Sequence, residues 1–67
     1  MNLTKRQKEV LQLLAEGHTM RQVAVLLDIS ARTVAFHKYQ MMQEHGLKSQ
    51  SDIVMFAIKQ RIIVAPS

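Results

Sequence analysis

The sequence predicts an all-α domain, and three observations lead to that fold class. Its 67 residues suffice for one domain over residues 1–67 and no more. Apolar residues make up 48% of the chain, which argues against disorder. The single proline lies close to the end, and the two glycines fall where helices are expected to stop. Because no strand-like alternation occurs between turn signals, we predict a bundle of four short helices.

Composition also limits the classes of function. The chain has no cysteine, which excludes a disulfide framework and fits a cytoplasmic location. Its net charge of +4 favours an anionic partner, either nucleic acid or an acidic membrane surface. No apolar run approaches the roughly 18 residues of a membrane span, and the charged start MNLTKRQKEV is not a signal peptide.

The first helix is expected to begin after Thr4, whose spacing to Gln7 is typical of a capping box. Gly17 should end this helix, because the residue after a helix often needs a positive φ. Three basic residues occupy the first turn, where the helix dipole disfavours them: Lys5, Arg6 and Lys8. A solvated face and a phosphate-facing cluster both remain open as interpretations of these residues.

The second helix and the following turn predict a helix-turn-helix. Thr19 should cap a helix over about 20–27, whose apolar side consists of Val23, Ala24, Leu26 and Leu27. The turn covers 28–30, with Ile29 as an apolar plug toward the core. Ser30 is expected to cap the third helix.

The third helix, over about 31–45, has two different faces. At about 100° per residue, its core side holds Val34, His37, Met41 and, less centrally, Met42. The opposite side holds Arg32, Phe36, Tyr39 and Gln43. Lys38 falls on the core side by angle, but its long stem can reach solvent or phosphate. Aromatic side chains on a solvent face need a partner, and we interpret this helix as the recognition helix in the major groove of DNA.

The last helix is predicted over about 51–63, with an end at Ile63 or Val64, after a stop at Gly46 and a cap at Ser49 or Ser51. One side should face the core and consists of Ile53, Val54, Ala57 and Ile58. A second side, about opposite the core, consists of Met55, Lys59 and Ile62. A helix that is apolar on two faces usually has two partners, so we expect a second subunit on this side.

The sequence gives little support to an enzyme. It has one tyrosine, no cysteine and five scattered acidic residues, so we expect no catalytic residue and no cofactor. His37 and His45 would lie about 12 Å apart along one helix, too far to share a metal ion. No histidine pair has the i, i+4 spacing of a helical metal site, and no metal is expected. His37 should instead pack locally or contact a phosphate.

A DNA-binding interpretation gives the outer face a chemical role. Thr33, near the helix N-terminus, suits a phosphate, and Phe36 suits thymine methyl groups. Arg32 and Lys38 would supply charge, and Gln40 and Gln43 could bond to bases or backbone. The alternative is a protein-interaction module that uses the Phe36/Tyr39 face. A membrane-surface helix is disfavoured, because this outer face mixes apolar and polar groups.

Residues that carry a family resemblance run through the chain: the Leu3-Thr4 opening, the Ala15-x-Gly17 stop, the Ser30-x-x-Thr33-Val34-x-x-His37 core, Leu47 and the Val54-x-x-Ala57 segment. This pattern resembles the LuxR-type helix-turn-helix domain, also called the NarL/FixJ or GerE type. The resemblance implies a four-helix DNA-binding module, usually the C-terminal output domain of a bacterial transcription regulator and often of a two-component response regulator. The start at the first helix favours a piece cut from a longer regulator.

The resemblance also implies site residues and partners. The base-reading positions fall on Ala35, Phe36 and Tyr39. The phosphate contacts fall on or near Thr33, His37, Lys38 and Lys48, to which Arg32 adds its charge. The implied partners are double-stranded DNA, a second copy of the chain on DNA through the last helix, and RNA polymerase, with no membrane and no small-molecule ligand.

Three positions depart from the family pattern. Ala35 and Phe36 stand where polar residues are frequent, so we expect weaker hydrogen-bond readout and more methyl contact or shape reading. Arg61 stands where glycine is usual, which favours a longer last helix. Met55 is apolar where a charged residue is common, which fits a more adhesive dimer face.

Overall fold

A computed structural model describes residues 2–65 of the chain, and residues 1, 66 and 67 lie outside the described part. Within that part the chain forms four helices and no strand: α1 (Lys5–Ala15), α2 (Met20–Leu27), α3 (Ala31–His45) and α4 (Gln50–Lys59). The all-α prediction is therefore confirmed. α1 is central, since it packs against each of the other three helices, and α2 packs in addition against α3.

The core is small and every helix contributes to it. Its buried apolar residues are Val10, Leu11, Leu14, Val23, Ala24, Val34, Met41, Ile53 and Ala57. Leu47 and Ile29 pack against this core from the connections, as the sequence predicts. A core of this size in a chain this short supplies little stability, about 3–5 kcal/mol.

Each helix begins at a capped residue. The Thr4 hydroxyl accepts the Gln7 backbone N–H at 3.1 Å, and the Gln7 side-chain oxygen accepts the Thr4 N–H at 3.0 Å. Thr19 and Gln22 repeat this capping box at α2. The two remaining helices begin after a serine that accepts the N–H three residues on: Ser30 and Ser49. The capping predicted at Thr4, Thr19 and Ser30 is confirmed, and Ser49 rather than Ser51 caps α4.

Each helix ends next to a residue with left-handed backbone: Gly17 (φ 101°), Asp28 (φ 55°), Gly46 (φ 67°) and Arg61 (φ 59°). The prediction of a last helix that continues to about residue 63 is wrong, because α4 ends at Lys59. Arg61 adopts the conformation that the usual glycine would take, and the Ile62 N–H then donates to the Ala57 carbonyl at 2.9 Å. This turn closes the helix as a Schellman-type motif does.

Two predicted apolar positions lie elsewhere than expected. Leu26 is 57% exposed, because the inner side of α2 is set by Val23 and Ala24, and Leu26 lies about 100° around the helix from Leu27. Ile62 follows α4 instead of belonging to it, and it packs partly against the core. Ile62 therefore does not share an exposed helix face with Met55.

Candidate nucleic-acid interface

α2, the turn and α3 form the predicted helix-turn-helix, and local bonds fix the turn. Asp28 takes a left-handed conformation, which a short polar side chain tolerates better than most. The Ile29 N–H then donates to the Ala24 carbonyl at 3.0 Å. Ser30 follows as the cap of α3, and its Oγ accepts the Thr33 N–H at 3.0 Å. α3 is therefore held at its first turn by the segment that precedes it.

The two faces of α3 are as the sequence predicts. Val34 and Met41 are buried on the inner side. Phe36 and Tyr39 are 63% and 55% exposed on the outer side. Ala35 flanks them on one side of this face and is half-buried. A small domain thus leaves two of its three aromatic side chains largely in solvent.

The outer face of α3 forms a shallow concavity, which we call the α3 concavity. Its lining residues are Arg32, Ala35, Phe36, Tyr39, Gln40 and Gln43. The structure therefore brings the three predicted base-reading residues together with one guanidinium and two amides. Aromatic carbon next to hydrogen-bonding groups matches the chemistry of base edges, which present acceptors, donors and methyl groups in the major groove.

Neighbouring side chains pack against both aromatic rings. The Phe36 and His37 rings meet in an edge-to-face arrangement, with centroids 5.7 Å apart and planes at 68°. The Lys38 ammonium lies 5.3 Å from the centre of the Tyr39 ring, within the range of a cation–π contact. These contacts limit the orientations of the rings and place a cation next to the aromatic surface.

Two predicted phosphate contacts have fewer free groups than the sequence suggests. The Thr33 N–H is already used by Ser30, so this amide does not serve an anion. The Thr33 hydroxyl lies 2.9 Å from the Ser30 hydroxyl and remains on an exposed residue. In the His37 ring, Nδ1 is buried and has no hydrogen-bond partner among residues 2–65. A phosphate can therefore meet only Nε2 of that ring.

Lys48 and the cations of α1 do not line the α3 concavity. Lys48 is exposed one residue before the cap of α4, where its backbone N–H donates to Asp52 Oδ2 at 2.8 Å. Arg6 lies 3.6 Å from Glu9 in an exposed pair, which contributes little to stability. Lys5 and Lys8 are exposed, and both interpretations of the first turn of α1 stay open.

α4 carries the second exposed apolar surface. Met55 is 65% exposed, and Lys59 follows one turn later on the same side. Both residues line a groove together with His45, Leu47, Asp52, Phe56 and Ile58 among others. The His45 and Phe56 rings in this lining lie 4.6 Å apart between centroids, with their planes tilted by 32°.

Two features were not predicted from the sequence. The Gln50 side-chain amide donates to the Leu14 carbonyl at 2.9 Å and ties the start of α4 to the end of α1. No local signal identifies this bond, because its partners are 36 residues apart. Val25 is 81% exposed on α2, beside Leu26, although both resemble core residues in the sequence.

Neither a metal site nor a membrane span occurs in the described part of the chain. Residues 2–65 contain no cluster of three or more metal-ligating side chains. None of the four helices is both long enough and apolar enough to cross a bilayer.

Comparison with known proteins identifies the family. The family model described as "Bacterial regulatory proteins, luxR family" matches residues 1–57. The oxygen regulatory protein NreC of Staphylococcus aureus strains JH9, JH1 and Mu3 is 38% identical over 61 residues, which cover 91% of this chain. The chain spans only 28% of the length of these relatives, and no solved structure matches it. With its helix-turn-helix and a family match over most of its length, the chain belongs to the luxR family of bacterial regulatory proteins.

Proposed function

We propose that this domain binds double-stranded DNA sequence-specifically as part of a bacterial transcriptional regulator, with α3 in the major groove. The observation that carries the proposal is the α3 concavity. It exposes Phe36 and Tyr39 between amides and a guanidinium on the second helix of a helix-turn-helix. That helix is the one that helix-turn-helix proteins place in the groove, with its N-terminal half on the bases.

Affinity and sequence readout would come from different residues. Arg32, Lys38 and Lys48 supply charge toward the phosphates, and a net charge of +4 adds a general attraction. The Thr33 hydroxyl and Nε2 of His37 add neutral contacts to the backbone. Base readout falls to Ala35, Phe36 and Tyr39, which carry no charge. Phosphate contacts then fix the register, and base contacts select the sequence.

Binding of a labelled random-sequence duplex, measured by fluorescence anisotropy, tests the proposal. Three phosphate-contacting cations predict an affinity loss of about 40-fold between about 50 and about 200 mM salt. The variant Val25→Ala should show the same affinity and salt dependence as the unmodified domain, because Val25 is an exposed apolar residue outside the α3 concavity. Absence of binding at low salt contradicts DNA binding and would favour a protein-interaction module on the Phe36/Tyr39 face. Binding that is independent of salt contradicts the phosphate contacts assigned to the three cations.

We also propose that two copies pair through α4 when they bind two half-sites. Met55 and Lys59 support this assignment, because they lie one turn apart and exposed on α4. Ile62, which packs against the core, would contribute only at the edge. The measurement is binding to a duplex with one or two half-sites. Met55→Glu should remove cooperativity on two half-sites and leave one-site affinity unchanged, whereas Val25→Glu should preserve both. Unchanged cooperativity in Met55→Glu excludes this face.

The domain would act in the cytoplasm as the output domain of a longer response regulator, with RNA polymerase as a further partner. Support comes from the relatives, which are named as oxygen regulatory proteins and are much longer than this chain. The complete open reading frame tests this part of the proposal. A sensory or receiver domain upstream supports it, and a frame that encodes only these residues contradicts it.

A further inference from the structure

We infer that α3 recognises A·T base pairs chiefly through thymine 5-methyl groups, with Phe36 as the residue that contacts them. This inference rests on the proposed DNA binding and specifies what kind of site is bound. It is drawn from the groups that line the α3 concavity, from their exposure and from their spacing along the helix.

The base-reading positions have almost no hydrogen-bonding capacity. Ala35 and Phe36 end in carbon, and Tyr39 offers one hydroxyl. Guanine is read by two donors of one arginine or lysine, and none of these three residues can supply them. The apolar group that the major groove presents is the thymine methyl. A Phe36 ring placed over guanine would cover hydrated acceptors without replacing their bonds, so G·C is rejected at this position.

The Phe36 ring is exposed and also restricted. Its 63% exposure leaves a large apolar surface for a partner. Its edge-to-face contact with the His37 ring reduces the orientations it can take. A ring that is already oriented loses less conformational freedom when it meets a methyl group, so a small apolar contact produces a measurable preference.

The remaining groups of the concavity are consistent with the same base pair. Gln40 and Gln43 carry amides, which pair with N6 and N7 of adenine, the partner of thymine. Arg32 is the lining residue that carries the paired donors guanine needs, but its assigned contact is a phosphate, and it lies about 6 Å before Phe36 along the helix axis. No lining residue near Phe36 therefore favours a G·C pair at that position.

The spacing of the two aromatic residues determines how many adjacent base pairs they can contact. Phe36 and Tyr39 are three residues apart, about 4.5 Å along the axis. Base pairs follow each other every 3.4 Å or so, and the two rings would therefore meet neighbouring base pairs. We expect two successive A·T pairs in the half-site, with a thymine methyl against Phe36.

The test uses the 67-residue chain and has two steps. Selection from a random duplex library yields the preferred half-site, and each thymine in it is then replaced singly by deoxyuridine. This replacement removes only the methyl group. We expect about fourfold weaker binding at one or two adjacent positions, the effect of one methyl-sized apolar group, and no change elsewhere.

Protein variants assign the methyl contact to a residue. In Phe36→Ala, thymine and deoxyuridine should bind equally at the sensitive position, whereas Val25→Ala should keep the fourfold difference. An effect that persists in Phe36→Ala, a selected half-site without adjacent A·T pairs, or equal binding of all deoxyuridine probes would overturn the inference while DNA binding stands. Failure to select any sequence, together with no binding of random duplex, would instead refute the proposed function and the inference with it.

Discussion

The two faces of α3 differ in a way that separates folding from function. On the inner face, Val34 and Met41 are buried, and neither is aromatic. On the outer face, Phe36 and Tyr39 are rigid, aromatic and exposed. An aromatic side chain buries about 150–250 Å² when it enters a core, so a small domain gains most by placing such residues inside. The opposite arrangement on α3 indicates that its outer face is reserved for a partner.

The outer face of α4 is also exposed and apolar, but its side chains differ in chemistry from those on the outer face of α3. Met55 is as exposed as Phe36, but its side chain is flexible and has no rigid plane. Thioether side chains adapt to irregular apolar surfaces, which suits a protein contact better than the flat edge of a base pair. The difference supports DNA as the partner of α3 and a second copy as the partner of α4.

A substitution on the inner face of α3 should change the stability of the domain more than any other substitution considered. Met41→Ala should lower the free energy of unfolding by about 2–5 kcal/mol, because Met41 is 2% exposed and its loss leaves a cavity. This loss is comparable to the whole stability expected of so small a core. Thermal and urea unfolding followed by circular dichroism measure it. Phe36→Ala should change stability by no more than about 0.5 kcal/mol, and equal losses in both variants would abolish the distinction between the faces.

The next largest effect concerns sequence-specific binding by the outer face. Phe36→Ala should lower affinity for the selected half-site about tenfold, the effect of losing one base-pair readout. Affinity for random duplex should not change, because Phe36 carries no charge. Anisotropy titrations with both duplexes provide the comparison. Equal losses on the two duplexes would make Phe36 a general contact and not a reader of sequence.

A smaller and less selective effect is expected from the neighbouring cation. Lys38→Ala should weaken binding to every duplex a few-fold and reduce the slope of log affinity against log salt by about one unit. Lys38→Arg should keep most of the slope that Lys38→Ala loses, because arginine carries the same positive charge. An arginine can also stack on the Tyr39 ring, over which the Lys38 ammonium lies. The slope is obtained from titrations at several salt concentrations. An unchanged slope would remove Lys38 from the phosphate contacts.

The smallest effect lies away from both faces of α3. Arg61→Gly should raise stability by about 0.5 kcal/mol, since a left-handed conformation costs a non-glycine residue about 1–2 kcal/mol and glycine loses more chain entropy on folding. Urea unfolding detects the increase. DNA affinity should stay the same, and a change in it would link the end of α4 to the α3 concavity.

Local signals in the sequence explain most of the fold. The pairing of Thr4 with Gln7 and the glycines at 17 and 46 mark helix ends within a few residues, so α1 and α3 were predictable. The end of α4 was not, because Arg61 in a left-handed conformation leaves no sequence signal. Leu26 was misassigned because periodicity orients a helix only approximately, and its edge positions depend on the neighbours it meets.

The candidate site, like the fold, was predictable from the sequence only in part. Periodicity predicts correctly that Phe36 and Tyr39 are exposed on one face. It does not predict that Ser30 already occupies the Thr33 amide or that His37 Nδ1 is buried, because both depend on three-dimensional contacts. Which bases and which subunit contacts are used is a property of complexes, so neither follows from the periodicity of one chain.

A chemical-shift titration of the ¹⁵N-labelled domain with random-sequence duplex would show whether the outer face of α3 contacts DNA. At low salt, the largest shifts should fall on the amides of α3 between Arg32 and Gln43, together with Lys48 and the α2–α3 turn. These shifts should shrink as salt increases. Shifts confined to α4 or to the Val25/Leu26 side of α2, or the absence of shifts at low salt, would contradict contact between the outer face of α3 and DNA.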